Sequence, residues 1–470
     1  MAEATASLGA FGFLSSDEVA RYGTANAGIY DQHMALNWVR SYISLFGGDP
    51  RRVTIAGESA GGGAVMLQDM AYGGTQGDLL FQNSIVASPY LPMQWGYGDF
   101  VPTQSYFAFA QFAGCFNGTP FGNTSTSIFE CLQSVDTITL QQASAVISGS
   151  PTGRTGTWAF LPVTDGTLIK ELPSQQLLKK QVNGLRMLSG NNANEGPYFS
   201  PQNVETEDDF VAFVQATFPL FNEDDIAKLL LYYPSTNASV DPNAPLFATT
   251  GEGPVTALNQ STFGTGQQQR AINVIAETNF VCPSYWLAEA YALSGEDHAS
   301  YKYQFSVPPG QHASDIVGYF GPVNSSTTVL PEFQNAFMSK SKSTPSELRQ
   351  TIMRERDKEE QALLTSRSEI WGNFIMHNDP SISSAVAEGS AYNPAAAPNP
   401  ASDWPMFSNA NPYQMNLNTT GGVPQESSQG LVIVGPGLRN DISLVNAYTW
   451  EGGRGTRCDF WRAMGIVVPE

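Results

Sequence analysis

Short runs of apolar and β-branched residues alternate along the chain with longer stretches in which apolar residues recur at helical spacing. The short runs predict four strands, at residues 52–57, 83–88, 184–190 and 301–307. Strands that alternate with helical segments are typical of a parallel sheet covered by helices. The pattern therefore predicts an α/β protein with a mostly parallel central sheet and helices on both faces.

The helical stretches have recognisable ends. Residues 31–46 carry apolar positions at helical spacing and stop at two glycines, and residues 210–218 follow an acidic first turn. Residues 345–377 predict a long helix whose charged middle is expected to face solvent. Residues 389–412 are rich in Ala, Asn, Pro and Ser, which indicates an irregular surface loop.

A glycine-rich turn joins the first predicted strand to a predicted helix. Its sequence, Gly57-Glu58-Ser59-Ala60-Gly61, has the form G-x-S-x-G. In this context the serine occupies a strained turn above the sheet, and we expect side chains at the flanking glycines to collide with the neighbouring strand and helix. Ser59 is therefore a candidate nucleophile, and the N–H of Ala60 is a candidate oxyanion donor. The alternative is a strand-to-helix turn without chemistry.

A serine hydroxyl needs a base to remove its proton, so we examined the four histidines. His33 lies within a predicted helix, and His298 lies in a polar turn before the last predicted strand. His377 ends the charged helix, where a cation suits the helix dipole. His312 follows the last predicted strand, in a loop, which is where chain order places the base that serves a nucleophile on such a turn. It is the candidate base.

The carboxylate that orients the base should lie between the nucleophile and the base, after a strand. Residues 188–196 supply Glu195 on a loop that follows the third predicted strand. Spacing alone leaves two roles open. Glu195 is either the triad acid or a loop carboxylate that accepts backbone N–H groups.

Composition narrows the choice of partners. The formal net charge is −20, from 43 acidic and 23 basic residues, which disfavours nucleic acid and anionic membrane surfaces as partners. No apolar run is long enough to span a bilayer. We find no nucleotide-binding glycine motif and no metal-ligand spacing, so no cofactor or metal is predicted. No linker or repeat interrupts the pattern, and we expect a single domain over residues 1–470. The sequence makes no prediction about oligomeric state.

Possible glycosylation sites and cysteines bear on the compartment. The N-x-[ST] sequence occurs at Asn117, Asn123, Asn237, Asn259, Asn324 and Asn418. The four cysteines are either free buried thiols or two disulfides, and the glycosylation sequences favour disulfides. A local loop closed by Cys115–Cys131 would leave Cys282–Cys458 as the long-range pair.

A set of short motifs is spread along nearly the whole chain, at residues 7–14, 27–32, 46–50, 57–61, 191–196, 280–283, 312–316, 404–405 and 458–461. Together they resemble the type-B carboxylesterase/lipase family, which includes fungal lipases, carboxylesterases and cholinesterases. The resemblance implies an α/β-hydrolase fold and hydrolysis of a small-molecule or lipid carboxylic ester. It implies an acyl-enzyme on Ser59, with His312 as general base and Glu195 as triad acid.

The resemblance has further implications. It implies that Ser88 hydrogen-bonds the acid as a supporting residue. It also matches the family's disulfide positions to Cys115 with Cys131 and to Cys282 with Cys458.

One departure from the family pattern concerns the start of the match. The sequence enters the pattern near Ser7, so the resemblance implies that N-terminal strands and the loop carrying further oxyanion donors are missing. The strand at residues 52–57 is then expected at an exposed apolar edge. The alternatives to an active hydrolase are a catalytically impaired fragment and a non-catalytic esterase-like binding protein. The full-length form is expected to be secreted, although this sequence shows no signal peptide.

Overall fold

The computed structural model describes residues 6–118, 127–149, 157–234, 264, 266–293, 295, 297–307, 309–316, 370–426 and 432–469. Of the possible glycosylation sites, Asn123, Asn237, Asn259 and Asn324 lie outside these residues. The predicted helix at 345–377 lies outside them up to residue 369.

The described residues contain one sheet with its strands in chain order: β1 (Thr54–Glu58), β2 (Asn83–Ala87), β3 (Arg186–Asn192), β4 (Ala299–Phe305), β5 (Tyr413–Glu426) and β6 (Val432–Asn446). The first five are parallel, and β6 runs antiparallel to β5. The four strands expected from the apolar pattern are confirmed as β1 to β4. The β5–β6 pair was not expected.

Helices surround the sheet: α1 (Gly9–Phe13), α2 (Asp17–Tyr22), α3 (Ala27–Tyr42), α4 (Ala60–Met70), α5 (Phe100–Phe112), α6 (Ile128–Ser134), α7 (Thr137–Gly149), α8 (Pro173–Leu178), α9 (Glu207–Thr217), α10 (Glu223–Tyr232), α11 (Gly266–Ala276), α12 (Cys282–Tyr291), α13 (Ile370–His377), α14 (Ser384–Glu388) and α15 (Trp450–Ala463). A π-helical segment, Glu277–Val281, joins α11 to α12. The helix predicted at 31–46 starts earlier, as α3, and ends in a 3₁₀ turn, Ile43–Phe46. The helix predicted at 210–218 is α9, which begins at a capping box between Thr206 and Asp209.

Alternating residues of the strands build two cores on opposite faces of the sheet. Val86 and Met187 belong to one core, which they share with α4 and α12. Their neighbours Ile85 and Leu188 belong to the other, together with Phe374 of α13. Because side chains alternate along a strand, burial of both sets means that both faces of the sheet are covered. The expected layering is confirmed.

The edge at β1 is open within the described residues. There β1 pairs with β2, and Ala56 in its middle is exposed. A cavity of about 560 Å³ lies beside it, lined by Leu36 and Val39 of α3 and by Ile55 of β1. Trp38 on α3 is also largely exposed. The apolar edge expected for this strand is therefore present in the structure.

Helix α15 is tied to the centre of the fold. Cys458 on α15 forms a disulfide with Cys282 at the start of α12. Beside it, Arg454 donates to a carboxylate oxygen of Glu277 at 3.2 Å and to the carbonyl oxygen of Ala193 at 3.3 Å. The second expected disulfide, Cys115–Cys131, is also formed.

Candidate active site

The turn after β1 holds Ser59 in a strained conformation. Its backbone angles are φ 57° and ψ −124°, a region that non-glycine residues seldom adopt. Two hydrogen bonds anchor the turn to the segment after β2: Ser59 N–H donates to the carbonyl oxygen of Ala87 at 3.1 Å, and Tyr90 N–H donates to that of Ser59 at 3.0 Å. The hydroxyl is thereby held at the carboxyl end of the sheet, and Ala60 opens α4, where its N–H has no partner within the helix.

Glycines allow this turn to pack against its neighbours, though not at every expected position. A Cβ atom on Gly57 would lie 2.2 Å from the carbonyl oxygen of Gly61, and one on Gly62 would lie 2.7 Å from that of Ala87. At Gly61 itself a Cβ atom would meet nothing within 4 Å. The expected collision at that second glycine is therefore wrong, because its side-chain position faces open space. The close approach to the strand falls one residue later.

Three residues far apart in sequence form a continuous hydrogen-bonded relay. The His312 Nε2 atom lies 2.8 Å from the Ser59 hydroxyl oxygen, and the His312 Nδ1 atom lies 2.6 Å from Glu195 Oε2. His312 and Glu195 are buried, while Ser59 is partly accessible. With the imidazole proton on Nδ1 donated to the carboxylate, Nε2 is left to accept the serine proton.

The carboxylate of Glu195 is held on its other oxygen. Ser88 donates its hydroxyl to Glu195 Oε1 at 2.7 Å, and the backbone N–H of Asn192 donates to the same oxygen at 2.5 Å. The Asn192 side chain donates in turn to Ser88 Oγ at 3.1 Å and to Asp315 at 3.0 Å. Both oxygens of the acid therefore have fixed partners, so its orientation is set before any ligand binds.

The charge environment favours protonation of His312. Burial is the largest single influence and lowers the pKa of its imidazole, but the opposing effects of nearby carboxyl groups, led by the charge and hydrogen bond of Glu195, together raise the pKa above the ordinary 6.5. The carboxyl groups of Glu58 and Asp315 act in the same direction. Glu58, whose Oε1 lies 3.6 Å from His312 Nε2, has its own pKa raised to about 8 by burial and by Asp315.

Aromatic rings line the side of the relay. The rings of Phe199 and Phe280 lie 5.0 and 4.5 Å from the His312 ring, and Phe280 also contacts Tyr90 at 5.4 Å. Trp158 packs against Tyr90 at 5.3 Å and is partly exposed. This wall makes the surroundings of the His312 ring largely apolar, which suits a substrate with an apolar portion.

Comparison with known proteins identifies the chain's family. The profile described as "Carboxylesterase family" matches residues 7–430. The chain belongs to the carboxylesterase family.

Curated members of the carboxylesterase family match over part of their length. Carboxylesterase patB of Penicillium expansum is 29% identical over 317 residues, which cover 67% of this chain and 49% of that protein. Lipase 2 of Geotrichum candidum is 34% identical over 239 residues, 48% of this chain and 41% of that protein. Lipase 4 of Diutina rugosa is 29% identical over 347 residues, 71% of this chain and 58% of that protein. The chain spans about half the length of these relatives.

A solved structure supports the fold. The crystal structure of Aspergillus niger EstA superposes with a TM-score of 0.67 at 20% identity and covers 99% of this chain and 74% of EstA. Together with the mostly parallel sheet and its surrounding helices, this confirms the expected α/β-hydrolase fold.

The remaining histidines of the chain lie away from the relay. His33 on α3 is buried, with Nδ1 3.1 Å from the side-chain oxygen of Gln68. His298 is partly buried before β4, and His377 is exposed at the end of α13. Trp95 is buried and packs edge-on against Phe100 at 4.9 Å.

Two of the predicted glycosylation sites fall within the described residues. Asn117 is exposed in the loop after Cys115. Asn418 lies in β5 with its side chain buried, only 2% exposed. Asn418 stays a candidate from the sequence, and a glycan there would have to displace the packed sheet.

Sequence reasoning missed several polar groups close to the relay. Glu58 stands next to the candidate nucleophile, so its proximity to the base could have been noticed. Lys302 and Gln304 interrupt an otherwise aromatic strand, and both are fully buried. Among the described residues no group of His, Cys, Asp and Glu could hold a metal ion, and no described helix is long and apolar enough to cross a membrane.

Proposed function

We propose that the protein is a serine carboxylic ester hydrolase that acts through an acyl-enzyme on Ser59, with His312 as general base and Glu195 as triad acid. The observation that carries the proposal is the relay from the Ser59 hydroxyl through His312 to Glu195, at 2.8 and 2.6 Å. Membership of the carboxylesterase family supports the reaction class. The order of the three residues in the chain is that of α/β-hydrolases.

In the first half-reaction Ser59 Oγ attacks the carbonyl carbon of the ester while His312 Nε2 takes the hydroxyl proton. Negative charge develops on the carbonyl oxygen, and the N–H of Ala60 at the start of α4 is the proposed donor to it. The tetrahedral intermediate collapses as the C–O bond to the alcohol breaks. His312 returns its proton to the departing alcohol oxygen, which leaves an acyl-serine.

In the second half-reaction water replaces the alcohol. His312 removes a proton from the water as it attacks the acyl carbon, and the proton then passes to Ser59 Oγ as the acid product leaves. Glu195 keeps the proton on His312 Nδ1 throughout and stabilises the imidazolium that forms in each half-reaction. This cycle requires no cofactor or metal.

We propose as substrate a small-molecule or lipid ester with an apolar portion, because Phe199, Phe280 and Trp158 line the relay. We also propose that the protein is secreted. Two disulfides are formed, and disulfides persist in oxidising compartments. Relatives named "Secreted lipase ARB07186/07185" and "Secreted triacylglycerol lipase LIP1" are consistent with this compartment.

The relay argues against the alternative of a non-catalytic binding protein. A binding site gains nothing from a strained serine or from an imidazole held between a hydroxyl and a buried carboxylate. Strain of this kind costs on the order of 1–3 kcal/mol, and its location at a nucleophile is explained by catalysis.

The test is hydrolysis of p-nitrophenyl esters of increasing acyl length by the protein and by Ser59→Ala. We expect the substitution to lower kcat by on the order of 10⁶. His312→Ala should have a comparable effect, whereas His298→Ala and His377→Ala, which alter histidines away from the relay, should leave kcat within about twofold. Most of the activity surviving in Ser59→Ala would refute the assignment.

Covalent labelling separates a catalyst from a binding protein. An organophosphonate should react with the protein and add its mass to the peptide that contains Ser59, and His312→Ala should slow this reaction. If the protein binds the ester without hydrolysing it and Ser59 is not labelled, the result would instead support the alternative of a non-catalytic binding protein.

A further inference from the structure

A lysine lies buried behind the acid of the relay. Lys302 is on β4 and is 0% exposed, on the side of the sheet covered by α12. Its Nζ atom lies 2.8 Å from Asn191 Oδ1 and 2.8 Å from Ser284 Oγ, and 4.1 Å from the centre of the Tyr285 ring. All three partners are uncharged, so the amine is held by hydrogen bonds and by the ring face rather than by a carboxylate.

The contacts of Lys302 lead to the triad acid in short steps. Asn191, whose side-chain oxygen accepts from the lysine, uses its side-chain NH₂ to donate to the carbonyl oxygen of Asn192 at 2.9 Å. The N–H of Asn192 donates to Glu195 Oε1 at 2.5 Å. Lys302 therefore fixes the Asn191 side chain, which holds the Asn192 backbone. The Asn192 N–H in turn holds the Glu195 carboxylate.

Stability alone does not explain a lysine at this position. Burying an amine costs free energy, and burial lowers the pKa of Lys302 well below its ordinary value. A methionine of similar length would fill the same space without that cost. The group that Lys302 adds over methionine is a hydrogen-bond donor aimed at the end of β3.

We propose that Lys302 is a positioning residue of the triad, which fixes Asn191 and the Asn192 backbone and so holds Glu195 in register with His312. The inference rests on the proposed function of Ser59, Glu195 and His312. Loosening this support lets the Glu195 carboxylate move away from Nδ1. A displacement of about 1 Å in a catalytic group can cost on the order of 10²-fold in rate.

The charged groups around both side chains fix the expected pH behaviour. His312 is faced by Glu195 from the loop after β3, by Glu58 from the end of β1 and by Asp315 from its own loop. Lys302 is faced by Arg454 from α15 and by Glu195. A less well-placed Glu195 stabilises the imidazolium less, so the pKa of His312 should fall.

The experiment compares Lys302→Met with Ser300→Ala. Ser300 lies two residues earlier on the same face of β4, and its hydroxyl donates to the Ala288 carbonyl of α12 at 2.7 Å, outside the path to Glu195. We expect Lys302→Met to lower the pKa of His312. This pKa is measured by an NMR titration of protein that carries ¹³C-labelled histidine. Lys302→Met should lower kcat by about 10- to 100-fold with little change in KM. Its melting temperature should not fall.

The control should behave in the opposite way. Ser300→Ala should reduce the melting temperature and leave the pKa of His312 and kcat unchanged. The NMR measurement needs no turnover, so it tests the inference independently of the activity assay. An unchanged His312 pKa in Lys302→Met would overturn the inference.

A double substitution separates positioning from a direct charge effect. In Glu195→Gln the acid is already neutral, so adding Lys302→Met should change neither kcat nor the His312 pKa further. If Lys302→Met changes kcat and the His312 pKa equally in the unaltered protein and in Glu195→Gln, the positioning role is overturned. Failure of the proposed function has a different signature, since activity would then survive Ser59→Ala. If Ser59→Ala is inactive while Lys302→Met has the kcat and the His312 pKa of the unaltered protein, the inference about Lys302 is refuted and the proposed function is not.

Discussion

Removing the Ser88 hydroxyl measures how much the fixed orientation of Glu195 contributes to catalysis. Ser88 and Glu195 are both fully buried, and the hydroxyl donates to Glu195 Oε1 at 2.7 Å. A hydrogen bond to a charged group contributes about 1.5–3 kcal/mol. Ser88→Ala leaves that oxygen with the Asn192 N–H as partner, and it removes the acceptor that the Asn192 side chain uses at 3.1 Å.

The expected loss in rate follows from these contacts. Each 1.36 kcal/mol of lost transition-state stabilisation costs tenfold in rate, so loss of the whole hydrogen bond predicts a fall in kcat of about 10- to 100-fold. KM should change little, because the buried Ser88 hydroxyl contacts Glu195 Oε1 and not the Oε2 atom that faces His312. The assay is steady-state hydrolysis of a p-nitrophenyl ester, together with thermal unfolding of each variant.

Ser84→Ala is a matched control in β2, the strand that Ser88 directly follows. Ser84 is equally buried and donates its hydroxyl to the carboxyl group of Asp69 at 2.6 Å, with no contact to the relay. Burial raises the pKa of Asp69 to about 8, so near pH 7 this bond is made largely to a neutral acid and contributes about 1 kcal/mol. We expect Ser84→Ala to lose stability and keep its kcat. The reasoning is refuted if Ser88→Ala keeps kcat within twofold, or if both variants lose it equally.

Two further predictions concern pH and covalent structure. Because Glu195 raises the pKa of His312 and catalysis needs the neutral imidazole, the acid limb of a kcat/KM–pH profile should have its midpoint above pH 6.5. Glu195→Gln should move that midpoint downward, and an upward move would contradict the cause. On the chain-entropy relation, removing Cys282–Cys458, which spans 176 residues, should cost about 5 kcal/mol, against about 3 for Cys115–Cys131, which spans 16. Denaturant unfolding of the paired serine variants measures both losses, and a larger loss for the short loop would contradict the relation.

The parts of the fold that the sequence predicts are those set by local pattern. Strands β2 and β3 are buried on both faces, so they appear as short apolar runs between turns. The glycine-rich turn at Ser59 is equally visible in the sequence. Gly57 lies against the Gly61 carbonyl of the same turn, and Gly62 lies against the Ala87 carbonyl of the neighbouring segment. His312 could be proposed as the base because it follows β4, and in this order of elements the base comes after the nucleophile and the acid.

The parts that escaped prediction depend on contacts distant in sequence. Residues 413–419 alternate Met415 and Leu417 with amides such as Asn416, and both sets are buried. The amides and the glycines that follow resemble a loop in sequence, and the strand forms because Tyr303 of β4 pairs with Met415 and β6 pairs on the other side. Tertiary pairing overrides the weak local preference for a strand.

The burial of Lys302 was not predicted from the sequence for a related reason. In an alternating strand its side chain and that of Gln304 would ordinarily face water. Here α12 and α15 cover that face, so the lysine meets Ser284 and the glutamine meets Arg454. Only the three-dimensional arrangement shows that the polar face of β4 is internal.

The attachment of α15 has a consequence for the order of events during synthesis. Arg454 holds the Ala193 carbonyl beside the acid loop, and Cys458 closes the disulfide to Cys282. At ribosomal rates of about 5 to 20 residues per second, roughly 20 to 80 s pass between addition of Ser59 and addition of Arg454. The serine turn is therefore made long before the helix that secures the acid. In this interval the nascent chain has its serine turn, but α15 does not yet hold the loop that carries Glu195. Hydrolytic activity should therefore appear only after α15 has left the ribosome and packed against the rest of the fold.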